Sequence, residues 1–220
     1  GAVRDALAFA RGVVEIELNA ATDNPMVFAD TAEMLSGGNF HGAPVAMAAD
    51  LLAIAASELG AISERRVERL VNPALSGLPA FLAREGGLHS GLMVAHVTAA
   101  ALAWENKSLA HPASVDSIPT SANKEDHVSM GVTAARKAAR AVANTRRILA
   151  VELLAACEAL EFLKPLQTSP GLRAVYGLVR QRIPAYERDR TPSPDIEAAR
   201  ELLRAGAVVD AAVSVCGTLE

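Results

Sequence analysis

From Glu125 to Leu163 the chain runs for nearly forty residues without a proline, with Gly131 as the only glycine. Read as one helix at about 1.5 Å per residue, that stretch would reach roughly 55 Å. The mean helix is about 11–12 residues long, so an element of this size needs long companions. The chain supplies candidates. Ala2 to about Ala20 places Val3, Leu7, Ala10, Val14 and Leu18 near a period of 3.6. A second helix is expected from near Phe40 to about Leu70, stopped by Asn72-Pro73, with Pro44 tolerated in its first turns. A third runs from Gly91 to about Leu109 and stops at His111-Pro112.

The spacers between these segments are short. Asp23-Asn24-Pro25 ends the first helix, and Met26 to Leu35 reads as a hairpin-like excursion. Leu75 to Ser90 is a glycine- and proline-broken loop, and Ser114 to Lys124 a polar one. After Ser169-Pro170-Gly171, shorter helices are expected at Leu172–Arg182, Asp195–Ala205 and Val208–Val215. The expectation is an all-α fold, a long antiparallel helix bundle with shorter C-terminal helices, in a single domain over residues 1–220.

Composition supports close helix packing. Hydrophobic residues make up 51% of the 220 but aromatics only 4%. Alanine-rich helices lose little side-chain entropy and let backbones approach. From Leu149 to Ala156 the apolar residues nearly ring the helix, and a helix apolar all round must be covered on every side. Other chains are expected to provide part of that cover, which makes the protein a homo-oligomer.

Other classes are disfavoured. The net charge is -4 with no basic block, so nucleic acid is not an expected partner. Cys157 and Cys216 are too few and too far apart for a disulfide framework, which fits a cytoplasmic location. No signal peptide or membrane span is read. The Gly91–Trp104 run contains His96 and leads into Glu105 and Lys107. His89 and His96 are seven apart and could share a helix face, but no acid or cysteine completes a ligand set, so no metal site is expected. Glu64-Arg65-Arg66 with Glu68-Arg69 reads as a solvated or intersubunit helix surface.

Two stretches carry more chemistry than a helix start requires. Ser36-Gly37-Gly38-Asn39-Phe40-His41-Gly42 feeds a helix N-terminus, a place suited to a carboxylate or a developing negative charge. A capped helix with a flexible entry is the other reading. Ser121-Ala122-Asn123-Lys124-Glu125-Asp126-His127 places acids in an expected first turn, where they complement the helix dipole. Lys124 and His127 do not fit that role, which leaves Glu125 as a candidate acid, base or imidazole partner.

Several blocks together resemble the histidine ammonia-lyase family. Glu17 to Pro25 is similar to a family helix that ends in Asp-Asn-Pro, and Gly37 to His41 to its Gly-Gly-Asn-Phe-His turn. Glu105 to Ser117, the cluster through Met130, Arg188-Asp189-Arg190 and Pro194 to Glu197 extend the likeness over essentially the whole chain. The match is to the carboxy-terminal half of the family's sequence. The resemblance implies a helical tetramer with active sites shared between subunits. It also implies elimination of ammonia from L-histidine to give trans-urocanate. Phe40 matches the family's phenylalanine that packs on substrate. Glu125 matches the glutamate that binds the imidazole or assists proton transfer, so it is both the catalytic and a substrate-binding candidate. Lys124 stands where Gln is expected. The family electrophile, methylidene-imidazolone (MIO), forms from Ala-Ser-Gly, a tripeptide this sequence does not contain. The chain alone is therefore expected to be inactive. A related phenylalanine or tyrosine lyase or aminomutase, and a non-catalytic helical assembly module, are the alternatives.

Overall fold

A computed structural model describes residues 1–218; Leu219-Glu220 lie outside the described residues. The chain is mainly helical. α1 (Ala2–Glu17) leads to a two-stranded antiparallel hairpin, β1 (Met26–Phe28) and β2 (Glu33–Leu35), in which Val27 pairs with Met34. α2 (Ala43–Val71) follows, then the short α3 (Pro73–Ser76), α4 (Met93–Leu109) and α5 (Gly131–Phe162). α6 (Pro170–Arg180), α7 (Ser193–Arg204) and α8 (Ala207–Cys216) complete it. The expected all-α class holds, including the hairpin excursion and the three short C-terminal helices.

One boundary differs from expectation. α5 starts at Gly131, six residues after Glu125. Ser121, Ala122 and Asn123 have φ between +52° and +67°, and Met130 has φ +57°. Four side-chain-bearing residues in the left-handed region keep this segment out of the helix. At 32 residues the helix is about 48 Å long. Glu125 is a loop residue and takes no part in a helix dipole.

The described chain divides into two compact units. The first comprises residues 1–58 and 106–142, the second 59–105 and 143–220. The buried apolar residues of the first unit are nearly all alanine: Ala46, Ala49, Ala53 and Ala56 of α2, Ala113, and Ala134, Ala138 and Ala141 of α5. Alanines at spacings of three and four form one stripe on each helix and let the backbones approach. Asp50 is buried beside this seam, where its carboxylate accepts the N–H groups of Ala113 (3.0 Å) and Ser114 (2.7 Å). Burial pushes its pKa up, but those bonds and the Lys137 charge outweigh it, and the net shift is downward. α2 is long and apolar enough, by length and composition, to cross a bilayer. The buried alanines and the bonded Asp50 account for that composition as protein core.

The second unit has a core of full-sized side chains, among them Leu82, Leu92, Ile148, Val151, Ile183 and Leu202. α8 packs on α6 and α7. From Ile148 to Ala159 every residue is buried or half-buried within this one chain. Much of the cover of the ringed segment thus comes from within this one chain, with Leu149, Leu153 and Ala156 left half-buried. The Glu64–Arg69 run is also not simply a solvated face. Glu64 is buried, held by Arg65 Nε and Nη2 at 2.6 Å each and lying 3.1 Å from His96 Nε2, while Arg66 binds Glu152. His89 precedes α4 and has Asp189 at 3.9 Å, so it does not share a helix face with His96.

Candidate functional site

Both stretches singled out in the sequence lie in the first unit. Asn39-Phe40-His41 forms one turn of 3-10 helix, and Gly42 at φ +76° redirects the chain into α2, a conformation for which glycine is the natural residue. Asn39 Nδ2 donates to the Ala21 carbonyl (2.7 Å), which anchors the turn to the chain beyond α1. The second stretch is a loop closed by a two-way bridge: Thr120 N donates to Glu125 O (2.8 Å) and Glu125 N to Thr120 O (3.3 Å). Ser117 Oγ accepts Val128 N (2.9 Å).

The two stretches meet. Phe40, His41, Glu125, His127 and Ser129 line one cavity of about 400 Å³. A neighbouring cavity of about 500 Å³ shares Phe40, His41 and Ser129 and adds Val14 and Leu18 of the α1 end. Phe40 and Glu125, 85 positions apart, thus face a common space, and both are exposed in the chain by itself. The space is of ligand size, with an aromatic ring and a carboxylate on its wall. Such a wall can stack on a flat ring and accept an N–H from it.

The family electrophile does not fit the residues present. Ser129, the serine common to both cavities, sits between Val128 and Met130 rather than between Ala and Gly. No step can be drawn through that group from this chain.

Sequence reasoning missed two features here. His41 Nε2 lies 2.8 Å from the His127 carbonyl, and the two imidazoles stack with centroids 5.4 Å apart and planes within 6°. Asp50 pins the Ala113–Ser114 corner. A single acid in the apolar run Ala46-Met47-Ala48-Ala49-Asp50-Leu51 was the available signal for it. The pairing of His41 with His127 left no such local trace. The two tyrosines have structural partners in the second unit. Tyr186 OH donates to Asp195 (2.6 Å), and Tyr176 OH bonds Glu161.

Comparisons with known proteins place the chain among its relatives. Histidine ammonia-lyase of Symbiobacterium thermophilum is 60% identical over the whole chain, which covers 43% of that protein. The crystal structure of histidine ammonia-lyase from Trypanosoma cruzi matches with TM-score 0.91 and 52% identity, over 96% of this chain and 42% of that one. Tyrosine aminomutase from Streptomyces globisporus matches with TM-score 0.92 and 41% identity, over 99% of this chain and 42% of that one. The chain spans about two-fifths of the length of these relatives. Residues 1–181 match the family of aromatic amino acid lyases, and the chain belongs to that family.

Proposed function

We propose that this chain is the carboxy-terminal part of a histidine ammonia-lyase and forms one wall of its L-histidine site. The reading rests on one observation above the rest: Phe40 and Glu125 line the same cavity of about 400 Å³. In this role the Phe40 ring packs on the substrate imidazole. The Glu125 carboxylate accepts an imidazole N–H, or holds a proton there, during loss of ammonia to give trans-urocanate. A carboxylate pairs naturally with imidazole, whereas the phenol or phenyl ring of tyrosine or phenylalanine offers no ring N–H to it. The electrophile, in the family MIO, comes from residues outside this sequence, so the 220 residues alone are inactive.

The fold does not separate a histidine lyase from an aminomutase, since both structural relatives superpose equally well. The Glu125 carboxylate favours histidine, and the higher identity to histidine ammonia-lyases points the same way. A homo-oligomer, a tetramer as in the family, belongs to the same proposal, as does a cytoplasmic location. Leu18 (78% exposed), Ile16 (68%) and Val132 (77%) leave large apolar groups uncovered in the first unit, and covering them would favour assembly. The deciding experiment offers L-histidine, L-phenylalanine and L-tyrosine to a full-length protein carrying this sequence and to the 220-residue chain. Urocanate absorbance should rise only with L-histidine and only with the full-length protein. Turnover by the homogeneous 220-residue chain, or a preference for tyrosine, refutes the reading.

A further inference from the structure

The turn that carries Phe40 and the loop that carries Glu125 come from distant parts of the sequence, and a single side chain ties them together. His41 Nε2 bonds the main-chain carbonyl of His127, and its ring lies flat on the His127 ring. Because a carbonyl can only accept, the His41 proton must sit on Nε2, which fixes the tautomer. His41 is itself well placed. Asn39 anchors its turn to Ala21 O, and Gly42 sets the exit into α2 at φ +76°. The opposite loop has weaker support. Ser121, Ala122, Asn123 and Met130 all have positive φ. Among the described residues, the loop's hydrogen bonds beyond local turns are the Thr120 bridge, the Ser117 hydroxyl and His41. Of these, only His41 reaches from the turn that bears Phe40.

We propose that His41 is a positioning residue: through the His127 carbonyl and ring it sets the Glu125 loop against Phe40, and so fixes the spacing of the two groups that hold the substrate ring. The proposal rests on the reading of Phe40 and Glu125 as substrate-binding residues. Side chains around a reacting group must be held to within about 1 Å, since a misplacement of that size can cost on the order of 10²-fold in rate. A loop with several left-handed residues is not held that well by its own backbone. His127 supplies a carbonyl and a flat ring, and His41 engages both at once.

Two measurements test this, one of them independent of turnover. In the 220-residue chain, His41→Ala should speed amide hydrogen exchange at Glu125 and Val128 about tenfold while leaving the α2 amides of residues 46–56 unchanged. His41→Gln, which can still present an N–H to the carbonyl, should recover most of the protection. If exchange at Glu125 and Val128 is unchanged in His41→Ala, or if Gln is no better than Ala, the proposal fails. Should the alanine variant not fold, imidazole ¹⁵N shifts of the unmutated chain decide: an Nε2–H tautomer at His41 supports the tie and an Nδ1–H tautomer refutes it. In the full-length enzyme, His41→Ala should lower kcat/KM for L-histidine about tenfold, but less than about twofold when Glu125 is already Gln, because the two act as one unit. Equal losses on both backgrounds overturn the route through Glu125. A neutral Glu125→Gln by itself refutes the functional reading and leaves the exchange result to judge the tie.

Discussion

The two units of this chain are built on different materials. The first buries alanines and one pinned carboxylate and leaves Met34, Phe28 and the end of α1 uncovered. The second buries leucine, isoleucine and valine and sets the Arg180–Glu158–Glu161 charge network beside them. Hydrophobic burial contributes about 25 cal/mol per Å², so an alanine seam stabilises far less per residue than a core of Ile148 and Leu202. The candidate chemistry sits on the lightly stabilised unit, on a turn and a loop in left-handed backbone. The heavily stabilised unit carries no candidate site residue. Functional loops are commonly drawn from the low-stability end of a protein, and here that division follows the two kinds of core.

The sharpest way to break the contrast is Glu125→Gln in the full-length enzyme. A general acid–base group typically contributes about 10²–10⁴-fold, so kcat for L-histidine should fall at least about tenfold while the melting temperature stays constant. Unchanged kinetics would show that Glu125 is only a bridge residue paired with Thr120. The converse change belongs to the second unit. Ile148→Ala should cost about 2–5 kcal/mol in denaturant unfolding, whereas Ala53→Gly in the alanine seam should cost only about 1 kcal/mol. Equal losses would mean that the seam is more tightly packed than its alanines suggest.

Asp50→Ala probes the one strong polar tie of the first unit. It strands the N–H groups of Ala113 and Ser114, and each buried group left unsatisfied costs about 1–3 kcal/mol. The loss should be visible in urea unfolding, and Asp50→Asn, which keeps one acceptor, should recover part of it.

The smallest effect is expected from acid. Burial raises the Glu161 pKa, but bonds from Lys164, Tyr176 and Arg180 outweigh it and bring the carboxyl down to about 2. A carboxylate with a depressed folded pKa stabilises the fold above its unfolded value of about 4.3. That contribution fades as pH falls from there toward 2. Its neighbour Glu158 shares Arg180 but is shifted the other way, because burial there outweighs the bonds from Tyr186 N and Arg180. Glu158 therefore offsets part of this trend: its contribution grows as pH falls. Glu161→Gln should flatten the acid side of the stability profile of the second unit. A profile as steep as before would assign the acid limb to other groups.

Much of this was legible in the residues. Asn72-Pro73 marks where α2 stops, whereas α1 already ends at Glu17, before Asn24-Pro25; the Met26–Leu35 excursion is a hairpin because a short run with β-forming residues sits between turn signals. The start of α5 was not legible. Ser121 to Met130 contains no proline or glycine to announce that the chain is outside the helix, and positive φ at alanine or methionine leaves no compositional mark. The ringed stretch near Leu149 was read correctly as largely buried, but the share of its cover that comes from within the chain was not legible, because periodicity reports that a helix is enclosed and not by what. The division into two units was invisible for a related reason. Each is assembled from separated stretches, so no linker marks a border. The candidate site residues Phe40 and Glu125 were picked out through a resemblance of motifs, while His41–His127 is a pairing across 86 positions that only the folded chain reveals.

The discontinuity of the first unit has a consequence for how the chain is made. Residues 1–58 leave the ribosome long before residues 106–142 do. At about 5–20 residues per second, the early stretch waits several seconds for the alanines of α5 that complete its seam. During that interval α1 and the apolar first half of α2 have no native partner from the late stretch. The second unit is also incomplete until its last helices emerge. A nascent chain of this kind spends most of its synthesis with sticky helices in the open, so it should depend on chaperones that recognise short apolar segments more than its two finished units suggest.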